Sequence, residues 1–367
     1  MNPKISNISV ENDIYKFTLS GLNVSLANAI RRTALSDIPT VVIYTETYND
    51  NQCTIHTNTS RLHNEILKHR LSCIPIHTDD ISLLPTNYQL ELDMQNNTEQ
   101  PLVVTTEHFK IKNKQTNNYL TNEELVKIFP PCPKTNMYID FVRLRPKISD
   151  TIPGEKIHLT AEFSVHTAKE NASFNVVSKS TYSNTIDLIK ANEVWEQLSD
   201  KYKSENMEKE DYEIQKRNFY LLDAYRYFIP DSFDFSIETV GVYDNQTIVK
   251  KCCLILQNKF VNLIEALESD MVFIKPSETT IEHSYDIILD NEDYTIGKVL
   301  EYILYEKYYN NEKIFTFCGF KKFHPHDETS TIRVAYVSAT DKRMVAQHLR
   351  TACVEASDVF TSIYKMF

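Results

Sequence analysis

Arg31 and Arg32 stand side by side in the run Ala27-Asn28-Ala29-Ile30-Arg31-Arg32. A guanidinium fork suits planar, two-pronged contact to a carboxylate or to backbone carbonyls. It equally suits a solvated helix end, where cations favour the negative pole of the dipole. Neighbouring helical positions point about 100° apart. One arginine can therefore reach a partner while the other stays in water, and spacing alone leaves both readings open. His63, Glu65 and His69 distort the HExxH pattern. Two histidines four apart share a helical face, and six apart they do not. Cys53 and His56 with Cys73 and His77 form a more tempting zinc set, and a stand-alone zinc metalloenzyme is the alternative reading. Against it, free cysteines usually behave as buried small hydrophobes. Cys252-Cys253 falls mid-helix and reads as packing. Asp231 with Asp234 and Asp290 with Asp293 are spaced acidic pairs, but no DxD occurs. A two-metal nucleotidyl-transfer centre needs carboxylates converging on metals about 4 Å apart. No nucleophile stands with a base. No catalytic residue, metal ligand or cofactor is assigned.

Composition narrows the classes further. At 367 residues, two or three domains are expected. A net charge of −11 disfavours direct nucleic-acid binding, which needs clustered Lys and Arg to displace counterions. The five glycines are Gly21, Gly154, Gly241, Gly297 and Gly319, spread too far apart for GxGxxG, GxxxxGKS or GxSxG. Dinucleotide-fold, P-loop and α/β-hydrolase readings fall together. Seven cysteines include no CxxC, and Met1-Asn2-Pro3-Lys4 opens no apolar signal segment. A reduced, cytosolic or nuclear protein with free thiols and no secretion or membrane signal is expected.

The elements that must position these residues follow from periodicity. Two short strands are expected in Ile5–Leu19 around a turn at Glu11-Asn12-Asp13. Asn23 then caps a helix carrying Leu26, Ala27, Ile30, Ala34 and Leu35, which stops before Pro39. Val41–Tyr44 reads as a buried strand. Asn58-Thr59-Ser60 opens a second helix with Leu62, Ile66 and Leu67 on its apolar face. From Leu83 to Tyr182 the pattern is mostly β, with an extended loop at Pro130-Pro131-Cys132-Pro133. Ile186–Tyr227 is helical, and its charged middle, Lys201–Lys216, is a solvated or partly ordered excursion. Phe233–Val242 is strand. Asp244 or Asn245 caps a long helix with Val249, Cys252, Leu256, Phe260 and Leu263. Glu268–Thr280 is expected to be a linker. Tyr285–Leu289 is a strand, Thr295 caps a helix with Leu300 and Leu304, and Ile314–Phe320 pairs with Thr331–Val337. Thr340 caps a last helix bearing Leu349 and Phe360.

A faint internal symmetry emerges. Ile5–Tyr44 with Phe233–Leu267 and, separately, Ser284–Phe367 each give strands, a short one-faced helix and a long helix with a wide apolar stripe. Neither half is large enough to bury two such helices well alone. Pairing through a four-helix core would serve both. Ile30, Leu256, Phe260, Leu300, Leu304, Leu349 and Phe360 are the residues expected at that pairing.

The run Leu26–Thr40, with Ala27-Asn28-Ala29-Ile30-Arg31-Arg32 and Pro39, resembles the signature helix of the α-like subunits of DNA-directed RNA polymerase. Glu65–Ile76, containing His69-Arg70-Leu71 and Ile74-Pro75, is similar to a block of the third-largest subunit. Ala172–Val177 and Phe233–Gly241 are weaker echoes of it. Asn291–Leu300, Phe317-Cys318-Gly319-Phe320 and His324-Pro325-His326 resemble the small, eleventh-subunit type, with Tyr294 and Lys298 departing from its usual His and Asn. The resemblance implies an α+β fold of two α-like dimerisation modules with a mostly β insert in the first. It sets 1–45 plus 183–270 as the first module, 46–182 as the insert, 271–283 as linker and 284–367 as the second module. It implies two α-like subunits joined in one chain, as in some large nucleocytoplasmic DNA viruses. Asn28, Arg31 and Arg32 would then help bind the second-largest subunit, with His69 and Arg70 supporting that face; the largest subunit and small subunits would dock too, in a heteromeric complex holding one copy. The location expected is a cytoplasmic viral factory and virion, or otherwise the nucleus. The four-cysteine cluster common in the family's insert is not expected, since Cys132 is the lone cysteine between residues 80 and 250. A generic interaction scaffold is the remaining class.

Overall fold

The computed structural model describes residues 1–78, 80–149, 151–205 and 207–367. In chain order its elements begin with β1 (Lys4–Glu11), β2 (Ile14–Ser20), α1 (Val24–Ser36), β3 (Thr40–Val42), β4 (Cys53–Asn58), α2 (Asn64–Ser72) and α3 (Leu83–Asn87). Next come β5 (Tyr88–Gln95), β6 (Leu102–Thr105), β7 (Lys110–Asn113), α4 (Asn122–Ile128), β8 (Asp140–Leu144), β9 (Lys156–Glu162) and β10 (Ser164–His166). The chain continues with β11 (Val177–Ile186), α5 (Leu188–Ser204), α6 (Lys209–Leu221), β12 (Phe228–Thr239) and α7 (Asn245–Glu268). It closes with β13 (Phe273–Pro276), β14 (Ser284–Asp290), α8 (Tyr294–Leu304), β15 (Phe315–Lys321), β16 (Thr329–Tyr336) and α9 (Lys342–Tyr364). Two compact units result: Met1–Ala34, Lys179–Glu238 and Asn245–Phe367 form one, and Leu35–Ser178 with Thr239–Asp244 the other.

The first unit holds two four-stranded antiparallel sheets, ordered β1-β2-β12-β11 and β13-β14-β16-β15. The opening hairpin turns on Asn12 and Asp13, with φ of 50° and 67°. That is the left-handed backbone a two-residue hairpin loop requires, and short polar side chains tolerate it. Phe17 and Phe235 pair in register across β2 and β12, and their rings stack at 5.0 Å. Between β11 and β12 the chain departs into the α5–α6 hairpin. This has a small aromatic core of its own around Ala191, Trp195, Phe219 and Ala224. The charged stretch Lys201–Lys216 supplies the end of α5 and most of α6, with Asn206 outside the described residues.

Helix α7 buries Ile248, Val249, Cys252, Cys253, Leu256 and Phe260, a stripe at three- and four-residue spacing. It lies against α9, which buries Val345, Leu349, Ala352, Cys353, Ala356, Phe360 and Ile363. The rings of Phe260 and Phe360 stack at 6.0 Å. Phe367 reaches the opening hairpin, its ring 5.1 Å from Phe17 and 6.3 Å from Tyr15. Helix α8 packs on α9 and β15.

The second unit is mostly β. Its sheets are β4-β9-β5-β7, β6-β8 and β10-β3, with α2, α3 and α4 added. Leu67, Leu71, Leu90, Leu92, Phe109, Phe141 and Leu159 lie in its core. It starts at Leu35, ahead of the 46–182 range expected for the insert.

Several local expectations need correction. Helix α2 begins at Asn64, not at Asn58. The Asn58 side chain accepts from Ser60 N at 2.9 Å and donates to Leu62 O at 2.8 Å, so it builds a turn in place of a cap. Ile66 is exposed, and Leu67 and Leu71 carry the buried face. The stretch taken as a linker contains a strand: β13 pairs Phe273 with Ile288 through Pro276 with Tyr285. Asp293, not Thr295, caps α8, and Asp341, not Thr340, caps α9. In both cases the acid accepts a first-turn amide proton, which a carboxylate does well at the positive end of the dipole.

Candidate subunit-docking site

Helix α1 follows a tight turn. Gly21 has φ of 78°, and a Cβ there would lie 2.2 Å from the Asn2 carbonyl oxygen, so only glycine fits. Asn23 then accepts from Ser25 N at 2.9 Å. Leu26, Ala27, Ala29, Ile30, Thr33 and Ala34 face inward. That leaves Asn28, Arg31 and Arg32 partly exposed. Arg31 Nε donates to Asn28 Oδ1 at 2.9 Å, and the Arg31 carbonyl accepts from Ser180 Oγ at 3.2 Å. Asn28 thus holds the Arg31 fork one helical turn away.

Arg32 behaves differently from its neighbour. Its Nε donates to Thr295 Oγ1 at 2.9 Å and its terminal nitrogen to Asp293 Oδ2 at 2.9 Å. Both Arg32 and Asp293 side chains are about one third exposed, at 33% and 31%. Arg32, expected to bind another subunit, has its guanidinium on the cap of α8 within this chain. Lys259 on α7 reaches the same acidic turn, with Nζ 3.3 Å from Glu292 Oε2. Asp293, Lys259 and Glu292 were given no such role from the sequence, and Thr295 was read as a cap alone. The Asp-before-Thr spacing at a helix start could have pointed to Asp293 as a cap, but nothing local marks it as an arginine receptor.

The seven residues expected at the pairing are all buried: Ile30, Leu256, Phe260, Leu300, Leu304, Leu349 and Phe360. The structure brings the rings of Phe260 and Phe360 together. Two further ion pairs join α9 to the end of α7 and the turn after it, Arg350 with Glu268 at 3.0 Å and Lys342 with Asp270 at 2.7 Å. Inside the second sheet of this unit, Asp286 and Arg333 sit opposite each other on β14 and β16. Arg333 donates through Nε at 2.6 Å and through its terminal nitrogen at 2.9 Å. These bonds hold the Asp286 carboxyl below its usual range against the opposing effect of burial, and raise Arg333 in turn.

In the second unit His69 and Arg70 are exposed on α2. Arg70 donates to the Asp140 carbonyl at 2.8 Å, and His69 Nε2 lies 3.9 Å from Cys73 Sγ. Cys73 is exposed at the end of α2 and is not the buried small hydrophobe expected of a free cysteine. The zinc set does not converge. Cys53 is buried in β4, with burial pushing its thiol up to about 11. His56 Nε2 lies 2.9 Å from Thr160 Oγ1. His77 is lowered by burial. Among the described residues no group of three or more His, Cys, Asp or Glu side chains could hold a metal ion. Nor is any helix among them long and apolar enough to cross a membrane.

This geometry offers helix faces and a polar arginine–asparagine pair, and it suits contact between proteins. The chain is similar to DNA-directed RNA polymerases I and III subunit RPAC1 of Mus musculus, 24% identical over 314 residues, covering 73% of this chain and 86% of that one. It is similar to DNA-directed RNA polymerase subunit Rpo3 of Pyrococcus horikoshii, 23% identical over 282 residues, covering 72% and 98%. DNA-directed RNA polymerases II, IV and V subunit 3 of Arabidopsis thaliana is 38% identical over 77 residues, covering 21% and 22%. Residues 16–260 match the family described as the RNA polymerase Rpb3/Rpb11 dimerisation domain, and the chain belongs to that family.

Proposed function

We propose that this chain is a non-catalytic assembly subunit of a DNA-directed RNA polymerase, carrying two α-like halves in one polypeptide. Templated nucleotidyl transfer would occur on the two largest subunits, which this chain would hold together. The observation that carries the reading is the family match over residues 16–260, with polymerase subunits aligned along most of the chain. The matched range stops before residues 284–367. What supports a second α-like half there is its repeat of the first: a sheet, an Asx-capped helix and a long helix, with α9 laid along α7. Joining the halves replaces a bimolecular encounter by an intramolecular one and raises their effective concentration. Asn28 and Arg31 on α1, and His69 and Arg70 on α2, are the docking residues of this reading. The compartment is the one where that polymerase works, a nucleus or a cytoplasmic viral factory.

The test is mass spectrometry of what co-purifies with the tagged chain from its own cells. The two largest polymerase subunits are the expected companions. Arg31→Ala should cut their recovery about ten-fold or more, as removal of a charged anchor at an interface does, with the chain's own thermal unfolding unchanged. A wild-type chain recovered without polymerase subunits rejects the reading. Unchanged recovery with Arg31→Ala rejects the residue assignment.

A further inference from the structure

Helices α1 and α8 begin with the same device. Asn23 accepts from Ser25 N at 2.9 Å, and Asp293 accepts from Thr295 N at 2.8 Å. Counting an equal number of residues onward from each cap reaches Arg32 in one helix and Tyr302 in the other. The two positions meet different surroundings. Arg32 grips Asp293 and Thr295 at the start of α8. Tyr302 is raised in pKa by burial first, then by the fields of Glu306, Glu355 and Asp231. Asp231 lies on β12 beside the turn before α1, its carbonyl accepting from Gly21 N at 2.8 Å. The repeat is therefore matched in geometry and unmatched in charge.

We infer that Arg32 is a positioning residue that selects front-to-rear pairing of the two halves, with the acidic turn Glu292-Asp293 as its receptor. The inference rests on the two-half reading above. A front half set against another front half would bring Arg32 to the neutral cap Asn23. A rear half set against another rear half would bring Tyr302 to Asp293. The front-to-rear arrangement sets the guanidinium directly on a cap carboxylate, whereas a front-to-front one would leave it the neutral cap and the field of Asp231, and charge matching of this kind discriminates between partners. Lys259 on Glu292 adds a second cation to the same turn, and these four side chains are between 22% and 33% exposed. Salt screens such pairs less than it screens fully solvated ones. Asp293 serves two ends at once: Oδ1 caps α8 and Oδ2 receives Arg32. Locking of the first turn of α8 is thereby tied to the presence of α1.

Full-length chains carrying Arg32→Ala, Asp293→Asn and both changes test this by urea unfolding and by hydrogen exchange of the amides Thr295–Lys298. Asparagine caps a helix as well as aspartate, so Asp293→Asn removes charge and leaves the cap. Each single change should lower the midpoint and speed exchange roughly five-fold, the factor that about 1 kcal/mol produces. The pair together should lose no more than the stronger single change. Reversing the charges, Arg32→Asp with Asp293→Arg, should regain more than half of what Arg32→Asp alone loses. Additive losses or no regain on reversal overturn the inference. So does an Arg32→Ala chain with unchanged midpoint and exchange that loses its polymerase companions, because Arg32 would then be a docking residue. Absence of polymerase subunits beside the wild-type chain rejects the polymerase role alone, since coupling and rescue are read on the purified chain.

Discussion

Asp286 is a buried carboxylate whose charge is held by Arg333 across β14 and β16. Its native pKa is lowered, so the unfolded chain binds the proton more readily. The stability this contributes is complete above the unfolded carboxylate value of about 4. It is lost as pH falls through the native value below that. Asp286→Asn should flatten the acid limb of a stability–pH curve, whereas an unaltered limb would show that the pair carries no linkage. Arg333→Ala leaves the carboxylate without its cation and should cost about 3 kcal/mol at neutral pH, read by urea unfolding. The adjacency of Arg31 and Arg32, and the 100° that lets one reach a partner while the other stays in water, was legible in the sequence. Whether either would be engaged, and by what, was not legible. The partner of Arg32 lies 261 positions away at the cap of α8, and no local rule reports a contact of that separation.

Gly297 shows what one position asks of a helix and the strand beneath it. A Cβ there would lie 2.0 Å from Cε2 of Phe320, a buried ring on β15 that also meets Tyr294 edge-on at 5.3 Å. Alanine ordinarily favours a helix over glycine by about 1 kcal/mol. Here the overpacking should win, and Gly297→Ala should destabilise by about 1–3 kcal/mol. A raised melting temperature would contradict the close packing of α8 on β15. Elements with a strong period were readable: α1 from its Asn23 cap, the stripe of α7, and the β15–β16 pair. What misled was polar chemistry that serves two ends. Asn58 offers a cap-like side chain and instead folds a turn. Asp293 and Asp341 cap where the following or preceding threonine was expected to. Strand β13 was missed because four residues ending in proline carry no alternation of their own, and only the neighbouring β14 gives them a ladder.

The long helices α7 and α9 each present a buried stripe too wide for one small sheet to cover, and they cover each other. Phe260 on Phe360, Phe367 on the Phe17 hairpin, and the Arg32 and Lys259 clasps all join the front of the chain to its rear. The pairing was expected from the insufficiency of either half alone. The strand β13 was not, and it moves the natural cut between halves to the stretch just after α7. Fragments 1–270 and 271–367 should therefore be co-expressed with a tag on the second. Pairing predicts that the tagged fragment retains the untagged one in equal amounts through size exclusion; two folded fragments eluting separately would contradict it.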